Sequence, residues 1–259
     1  MGTNWEQFYL NIMADILRNG QKREGRNGIT QSIFGPQLRI NALSHRILPI
    51  LNSRKIFPRG VLGEFATFIE GPTNISQFEK HGCHYWNKWA DEDGGLTLDY
   101  GRDWADQFGH VFDSLTNNPG DRRMLVNTWD HKRLPSLSLP SCHFSYQFYR
   151  DGNTVAMLWN QRSADWCVGV PSDILLAAVM LIAVARHVNL VPGEIIMQFG
   201  DAHIYEEHRD KAFEQIGREP NENQPRWKYS GSSFFDFVPA QFTIHNYKPQ
   251  GAIKYELKT

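Results

Sequence analysis

Two alternating runs joined by Asp-Gly constrain this chain more than any other feature. Phe144–Arg150 and Thr154–Trp159 flank Asp151-Gly152, the pattern of a β-hairpin whose turn needs positive φ. A hairpin carries its two open ends to one place, so Cys142 is expected beside Arg162 and Ser163. A thiol next to a cation has its anion favoured, and the thiolate is the nucleophile. The stretch Leu139–Asp173, with a companion segment at Gly200–His208, is therefore the expected chemical site. Directly after it, Ile174–Ala185 is uniformly apolar, so Ser172–Val188 is predicted as a buried central helix.

With 259 residues the chain is long enough to bury a sizeable core. A net charge of -1 gives no basic footprint for duplex nucleic acid. Three cysteines, Cys83, Cys142 and Cys167, are an odd number and argue against a disulfide framework. The start, Met1-Gly2-Thr3-Asn4-Trp5, lacks the charged and apolar regions of a signal peptide. The run Ile174–Ala185 is too short to span a bilayer. A soluble protein of a reducing, cytoplasmic compartment is expected. Aromatics at 13% with eight Trp suit flat ligands in a cleft, although core packing accounts for most of them.

Apolar spacing predicts a helix over Asn4–Asn19, stopped by Gly20. Gln21–Gln31 reads as a glycine-bearing loop, Ser32–Ile40 as a strand and Ser44–Leu51 as another. A short helix, Leu62–Glu70, ends at Gly71-Pro72 and holds Glu64 among apolar residues. His84–Tyr100 reads as a loop with a turn at Gly94-Gly95, Trp104–Asn117 as a helix and Met124–Trp129 as strand-like. Glu194–Phe199 is predicted extended, Ile204–Gly217 helical and Pro220–Pro225 a loop, with short strands near Ser233–Phe237 and Phe242–Ile244. With no repeat and no linker, one α+β domain over 1–259 is the economical reading.

Arg26, the pair Arg122-Arg123, and Arg162 followed by Ser163 are separated arginines on loops and strand ends. Guanidinium forks there suit a phosphate; surface ion pairing is the alternative for each. Cys83 and Cys167 read as small buried hydrophobes.

Leu139-Pro140-Ser141-Cys142-His143, Gln147-Phe148-Tyr149, Gln161-Arg162-Ser163-x-Asp165, Gly169-x-Pro171 and Gly200-Asp201-x-His203-x-Tyr205-x-x-His208 resemble the thymidylate synthase family. The likeness extends over Ser32–Gly35, Glu64, Glu70-Gly71-x-Thr73-Asn74-Ile75, Trp86-x-x-Trp89-Ala90-Asp91-Glu92, Tyr100-Gly101 and Asp121-Arg122-Arg123, in the family's order. It implies a single domain with a mixed β-sheet packed by helices. It also implies a homodimer whose cleft holds a pyrimidine nucleotide and 5,10-methylenetetrahydrofolate, with no metal, membrane or specific nucleic acid.

In such a site Cys142 would add to C6 of the base, with Glu64, Tyr100 and His143 in the catalytic set. Arg26, Arg162 and Ser163 would hold the phosphate, joined by Arg122 and Arg123 of the partner subunit. Gln161 belongs to the nucleotide set, and His203 and Tyr205 would bond the sugar hydroxyl. Trp86, Asp165 and Gly169 would face the folate.

The chain departs from the family's pattern at Asp173, where the family carries a uracil-reading Asn. A carboxyl group matches cytosine: one oxygen accepts from the N4 amino group, and a proton on the other reaches N3. That exchange resembles the family's cytidylate branch, the phage-type deoxycytidylate hydroxymethylases. The alternative is that Asp173, or Ser172, caps the helix. The polar ending Tyr255-Glu256-Leu257-Lys258-Thr259 implies a wetter cleft, favouring water over hydride and a hydroxymethyl product. Arg54 and Phe57 stand where Lys and His are usual near the folate, and the loop after Arg26 is one residue shorter. The expected reaction is 5-hydroxymethylation of dCMP. CMP as substrate, a C5-methylase of dCMP or dUMP, and a catalytically silent nucleotide- or RNA-binding relative are the rivals.

Overall fold

The computed structural model describes residues 5–258; Asn4, the chain start and Thr259 of the tail lie outside them. Among the described residues nine strands are present: β1 Gln21–Gly25, β2 Gly28–Phe34, β3 Gln37–Ile40, β4 Leu125–Asn127, β5 His143–Asp151, β6 Thr154–Asp165, β7 Val191–Tyr205, β8 Arg226–Tyr229 and β9 Phe242–His245. The helices are α1 Trp5–Asn19, α2 Pro58–Glu70, α3 Ile75–Lys80, α4 Trp104–Asn117, α5 Gly169–His187 and α6 Arg209–Ile216.

The expected hairpin forms as β5–β6, turning at Gly152 with φ 54°. It sits in a seven-stranded sheet of order β1-β2-β7-β6-β5-β4, with β3 also pairing β7. All pairings are antiparallel except β6–β7. A parallel pair needs a crossover, and α5 supplies it. Every residue from Ile174 to Ala185 is buried, because α5 contacts β6 and β7 on one side and α2 on the other. By length and composition α5 would span a bilayer, yet protein encloses it.

Register sorts the sheet into two faces. Val126, Tyr146, Trp159, Met197 and Leu38 are cross-strand neighbours and all fully buried against the helices. On the opposite face the row is Leu125, Gln147, Leu158, Ile196 and Arg39. Leu125, Tyr149 and Phe34 are exposed on the sheet.

Several elements differ from the sequence expectation. Gln21–Gln31 is a hairpin, β1–β2, turning through Arg26-Asn27 between Gly25 and Gly28. It carries no apolar signal because β1 is an edge strand exposed along its whole length. Gly28 sits at φ 122°, a conformation that side chains resist. The predicted strand Ser32–Ile40 is two strands, broken at Gly35-Pro36. Ser44–Leu51 is not a strand: Arg46 takes a left-handed conformation at φ 57°, and the four consecutive residues Leu48–Leu51 are all buried, which alternation does not allow.

α2 begins at Pro58, with proline at the first helical position, and stops at Gly71 as expected. The region after it also holds α3, opened by an Asn74–Gln77 capping box, and a 3₁₀ turn at Tyr85–Trp89. β7 runs to Tyr205, so the helix expected from Ile204 starts only at Arg209. Backbone pairing with β2 holds Ile204 and Tyr205 extended, one step beyond the last β6 pair at His203. Ser233–Phe237 is irregular; β9 pairs instead with β8.

Leu181→Ala, which opens a void in the middle of α5, is expected to cost about 3 kcal/mol. The midpoint and slope of a guanidinium unfolding curve would show it.

Candidate active site

Cys142 lies one residue before β5, and His143 pairs with Gln161 across the hairpin. The Arg162 backbone N–H donates to the Cys142 carbonyl at 2.8 Å. Its guanidinium donates to the carbonyls of Ser141 and Pro140 at 2.9 and 3.0 Å and lies over the Trp129 ring. The cysteine and the cation therefore meet as expected. The thiol is nonetheless pushed up rather than down. Burial outweighs Arg162, and Asp173 adds to the rise. His143, buried with Nδ1 at 2.6 Å from the Tyr146 hydroxyl, is held neutral, its pKa pushed by burial to about 3. The Tyr100 hydroxyl reaches the same corner, where it accepts from the Cys142 N–H, and its ring stacks on Phe68.

Glu64 reaches this corner from α2. Its two oxygens accept from the Tyr85 hydroxyl and the Trp86 indole, both at 2.7 Å. Burial still outweighs these bonds and raises the carboxyl to about 7. Trp86 is buried among Phe78, Phe68 and Trp89, so its N–H is committed to Glu64. Tyr85 was not predicted as a site residue; its only sequence signal is that it precedes Trp86.

Asp173 caps nothing. α5 begins at Gly169, four residues earlier, and neither Asp173 nor Ser172 bonds its first turn. Asp165 does the local work instead, its Oδ1 accepting from the Cys167 and Val168 N–H groups at 2.9 and 3.0 Å. Asp173 Oδ2 accepts from Gln161 Nε2 at 2.7 Å. Burial, helped by Glu64 and Asp165, raises this carboxyl to about 8. A Cβ on Gly169 would touch it at 3.6 Å. Trp159, which donates to Gln161 Oε1, also went unpredicted, although strand alternation places residues 159 and 161 on one face.

The parallel β6–β7 register sets Ser163 opposite Asp201 and Asp165 opposite His203. β2 then sets Ser32 beside His203 and Thr30 beside Tyr205. The β1–β2 turn thus overhangs a cavity of roughly 340 Å³ lined by Arg26, Arg162, Ser163, His203 and Tyr205. A wider concavity of about 570 Å³ lies between Pro58 and Phe242, remote from these groups. Glycine is required at position 200 of β7, since a Cβ there would sit 2.6 Å from the Arg162 carbonyl oxygen. His203 Nδ1 lies 3.0 Å from Asp201 Oδ1, and Oδ2 of the same carboxylate accepts from Arg23. Arg122 and Arg123 are exposed in the turn before β4, Arg123 paired with Asp121; the single chain does not bring them to the cavity.

The tail is docked by polar contacts. The Tyr255 hydroxyl donates to Gln215 at 2.9 Å, and its ring lies under the Arg54 guanidinium, which also bonds the Cys167 carbonyl. Lys88 donates to the Leu257 carbonyl and Lys258 pairs with Glu207. Asp165, Cys167 and His208 place donor atoms within 4.8 Å of one another. Arg54 and Lys258 already bring positive charge there, which opposes a second cation.

A family model described as Thymidylate synthase matches residues 7–259. The chain belongs to the thymidylate synthase family. Proteins named thymidylate synthase from Brachyspira hyodysenteriae and Corynebacterium aurimucosum are 35% and 34% identical to it. The first alignment covers 97% of this chain and 99% of the relative, the second 99% of each. One from Coxiella burnetii is 35% identical over 95% of this chain and 97% of its own length. The chain is accordingly a folate-dependent transferase of one-carbon units to C5 of pyrimidine nucleotides. Its co-substrate is 5,10-methylenetetrahydrofolate, and the family needs no metal. The residues present suit that co-substrate: Asp165 Oδ2 stays outside the capping bonds, and both His208 ring nitrogens are buried without a partner.

The two raised carboxyls have a consequence for stability. Glu64 rises from 4.5 to about 7 and Asp173 from 3.8 to about 8, so between pH 4 and 8 these two groups hold more protons in the folded chain than in the unfolded one. Their contribution to stability therefore falls as pH rises through that window. Glu64→Gln and Asp173→Asn are each expected to stabilise by on the order of 1–3 kcal/mol at pH 8 and hardly at all at pH 4. Thermal unfolding at the two pH values checks this.

Proposed function

We propose that this chain acts on a cytidylate, dCMP before CMP, and makes the 5-hydroxymethyl nucleotide. The observation that carries the reading is Asp173: a carboxyl group enclosed enough to hold a proton near neutral pH, bonded on one oxygen by Gln161. The other oxygen would donate to N3 of cytosine while the group accepts from N4. A uracil edge presents the opposite polarity. A cytoplasmic setting fits these substrates, and incorporation into DNA is the use that the phage-type resemblance implies.

The phosphate would sit on Arg26, Arg162 and Ser163, with His203 and Tyr205 on the sugar. Cys142 adds to C6 as the thiolate, whose formation Arg162 favours against burial. Charge pushed toward N3 by the new S–C6 bond is met by the Asp173 proton, which leaves C5 nucleophilic. The co-substrate supplies the one-carbon unit. Glu64, poised near neutrality, passes protons between water and the base, and Tyr100 would sit near the C5 proton that must leave. Once C5 carries the one-carbon unit and has lost that proton, tetrahydrofolate departs as the amine; water adds to the exocyclic carbon, the S–C6 bond breaks to release Cys142, and the hydroxymethyl product forms. The polar docking of the tail through Lys88, Arg54 and Lys258 supports a cleft that admits that water. A second reading, methylation of dUMP, is favoured by the relatives, all three of which are named thymidylate synthase.

The partner is a second copy. The open sheet face with Leu125, Leu158, Ile196 and Tyr149 offers the apolar surface, and Arg122 and Arg123 at its edge would serve the neighbour's phosphate.

Tritium release from C5-labelled dCMP and dUMP, with the product identified by mass, tests the substrate. Release from dCMP with a hydroxymethyl product and no dihydrofolate is expected; release from dUMP alone, with dihydrofolate formed, would establish the second reading. Asp173→Asn should shift kcat/KM from cytidylate toward uridylate by roughly 10²-fold, while Cys142→Ser should abolish release from both. Mixing inactive Cys142→Ser with inactive Arg122→Ala/Arg123→Ala protein should restore activity, since one mixed site keeps every group.

A further inference from the structure

Asp173 is held by a side chain whose own orientation is set two residues away on β6. Trp159 and Gln161 are both buried on the sheet's inner face. The Trp159 indole N–H donates to Gln161 Oε1 at 3.1 Å. Gln161 Nε2 donates to Asp173 Oδ2 at 2.7 Å and to the Ser163 carbonyl at 3.1 Å. An indole nitrogen has a hydrogen to give and nothing to accept with, so the amide atom facing it must be the oxygen. Turning the amide over would set NH₂ against N–H and a carbonyl against two acceptors, leaving buried polar groups unpaired. The amide is locked.

That lock reaches the base reader. Asp173 Oδ2 has to accept, so a proton on this carboxyl rides on Oδ1. A carboxyl with its proton fixed on one oxygen offers one donor–acceptor polarity, and cytosine and uracil demand opposite ones. We infer that Trp159 is a positioning residue for base choice: its indole N–H, acting through Gln161, fixes which oxygen of Asp173 donates and so selects cytosine over uracil. This rests on the reading of Asp173 as the base-facing group. Phenylalanine at 159 keeps a ring against His143 and Tyr146, which pack on the indole at 4.4 and 4.8 Å, and removes only the donor. The amide, then held only by the Ser163 carbonyl, can turn and present its own carbonyl to Asp173; the proton moves to Oδ2 to meet it, and Oδ1 is left an acceptor, the polarity that suits the N3–H of uracil.

Trp159→Phe, Gln161→Met and the double variant are to be compared with wild type on dCMP and dUMP. For Trp159→Phe, KM for dCMP is expected to rise about tenfold, the worth of one hydrogen bond, with kcat within about twofold and KM for dUMP unchanged or lower. The double variant should match Gln161→Met alone, because Trp159 then has nothing to act through. Additive losses, a fall in kcat alike for both bases, or an unmoved ratio of KM values would overturn the inference. Should Trp159→Phe fail to fold, 3-benzothienylalanine at position 159, the same shape with sulfur for N–H, carries the same expectations. A wild type that prefers dUMP removes the reading of Asp173 and this inference with it. A wild type that prefers dCMP, with the ratio unmoved in the variant, removes this inference alone.

Discussion

The parallel pairing of β6 with β7 is the constraint on which the site depends. It forces a crossover, and the crossover is α5, whose first turns deliver Gly169 and Asp173 beside Gln161. The same register sets Ser163 and Asp165 against Asp201 and His203. One slip of two residues would separate the arginine and serine of β6 from the histidine and tyrosine of β7. The approach is close enough that Gly200 has no room for a side chain opposite Arg162. Apolar burial of α5 on the inner sheet face fixes that register, since a one-residue shift would turn Trp159 and Met197 toward the open face.

Within this frame the chemistry is built from groups the fold would be more stable without. Glu64 and Asp173 are carboxyls taken out of water with hydrogen bonds that do not offset their burial. Glu64 also raises the affinity of Asp173 for a proton, and Asp165 adds to that effect. Cys142, in the same corner, feels the same negative surroundings and resists ionising despite Arg162. These costs are of the kind that active sites carry, because a group that titrates near neutrality is useful for moving protons.

Much of this was legible in the sequence, and the rest failed for physical reasons. Asp-Gly between alternating runs gave the β5–β6 hairpin, and the unbroken apolar run gave α5, because periodicity and turn chemistry are local signals. The meeting of Cys142 with Arg162 followed from hairpin geometry alone. The β1–β2 hairpin did not, because an edge strand in water needs only backbone partners, and residues 21–25 carry no apolar alternation. The end of β7 read as helix because Ile204–Gly217 has mixed polarity, whereas pairing with β2 and β6 overrides propensity there. The direction of the Cys142 shift was misjudged for a related reason: sequence shows the nearby cation but not the burial that outweighs it. Asp173 was open between helix cap and base reader until the helix start at Gly169 placed it past the first turn.

The electrostatics of the corner also order events. The site holds three carboxyls, a reluctant thiol and a neutral His143, and its cations lie to one side, on Arg162 and the β1–β2 turn. In the proposed reaction a nucleotide with its phosphate on Arg26 and Arg162 would neutralise those cations and cover Cys142, making the thiolate a scarcer form still. Attack on C6 by that minor form would need the charge arriving on the base to be quenched as it develops, and Asp173, a carboxyl that still has its proton, would be the group to do so. The raised pKa values of Asp173 and Cys142 are in this sense two sides of one arrangement: the burial that makes the nucleophile reluctant is the burial that keeps the acid loaded.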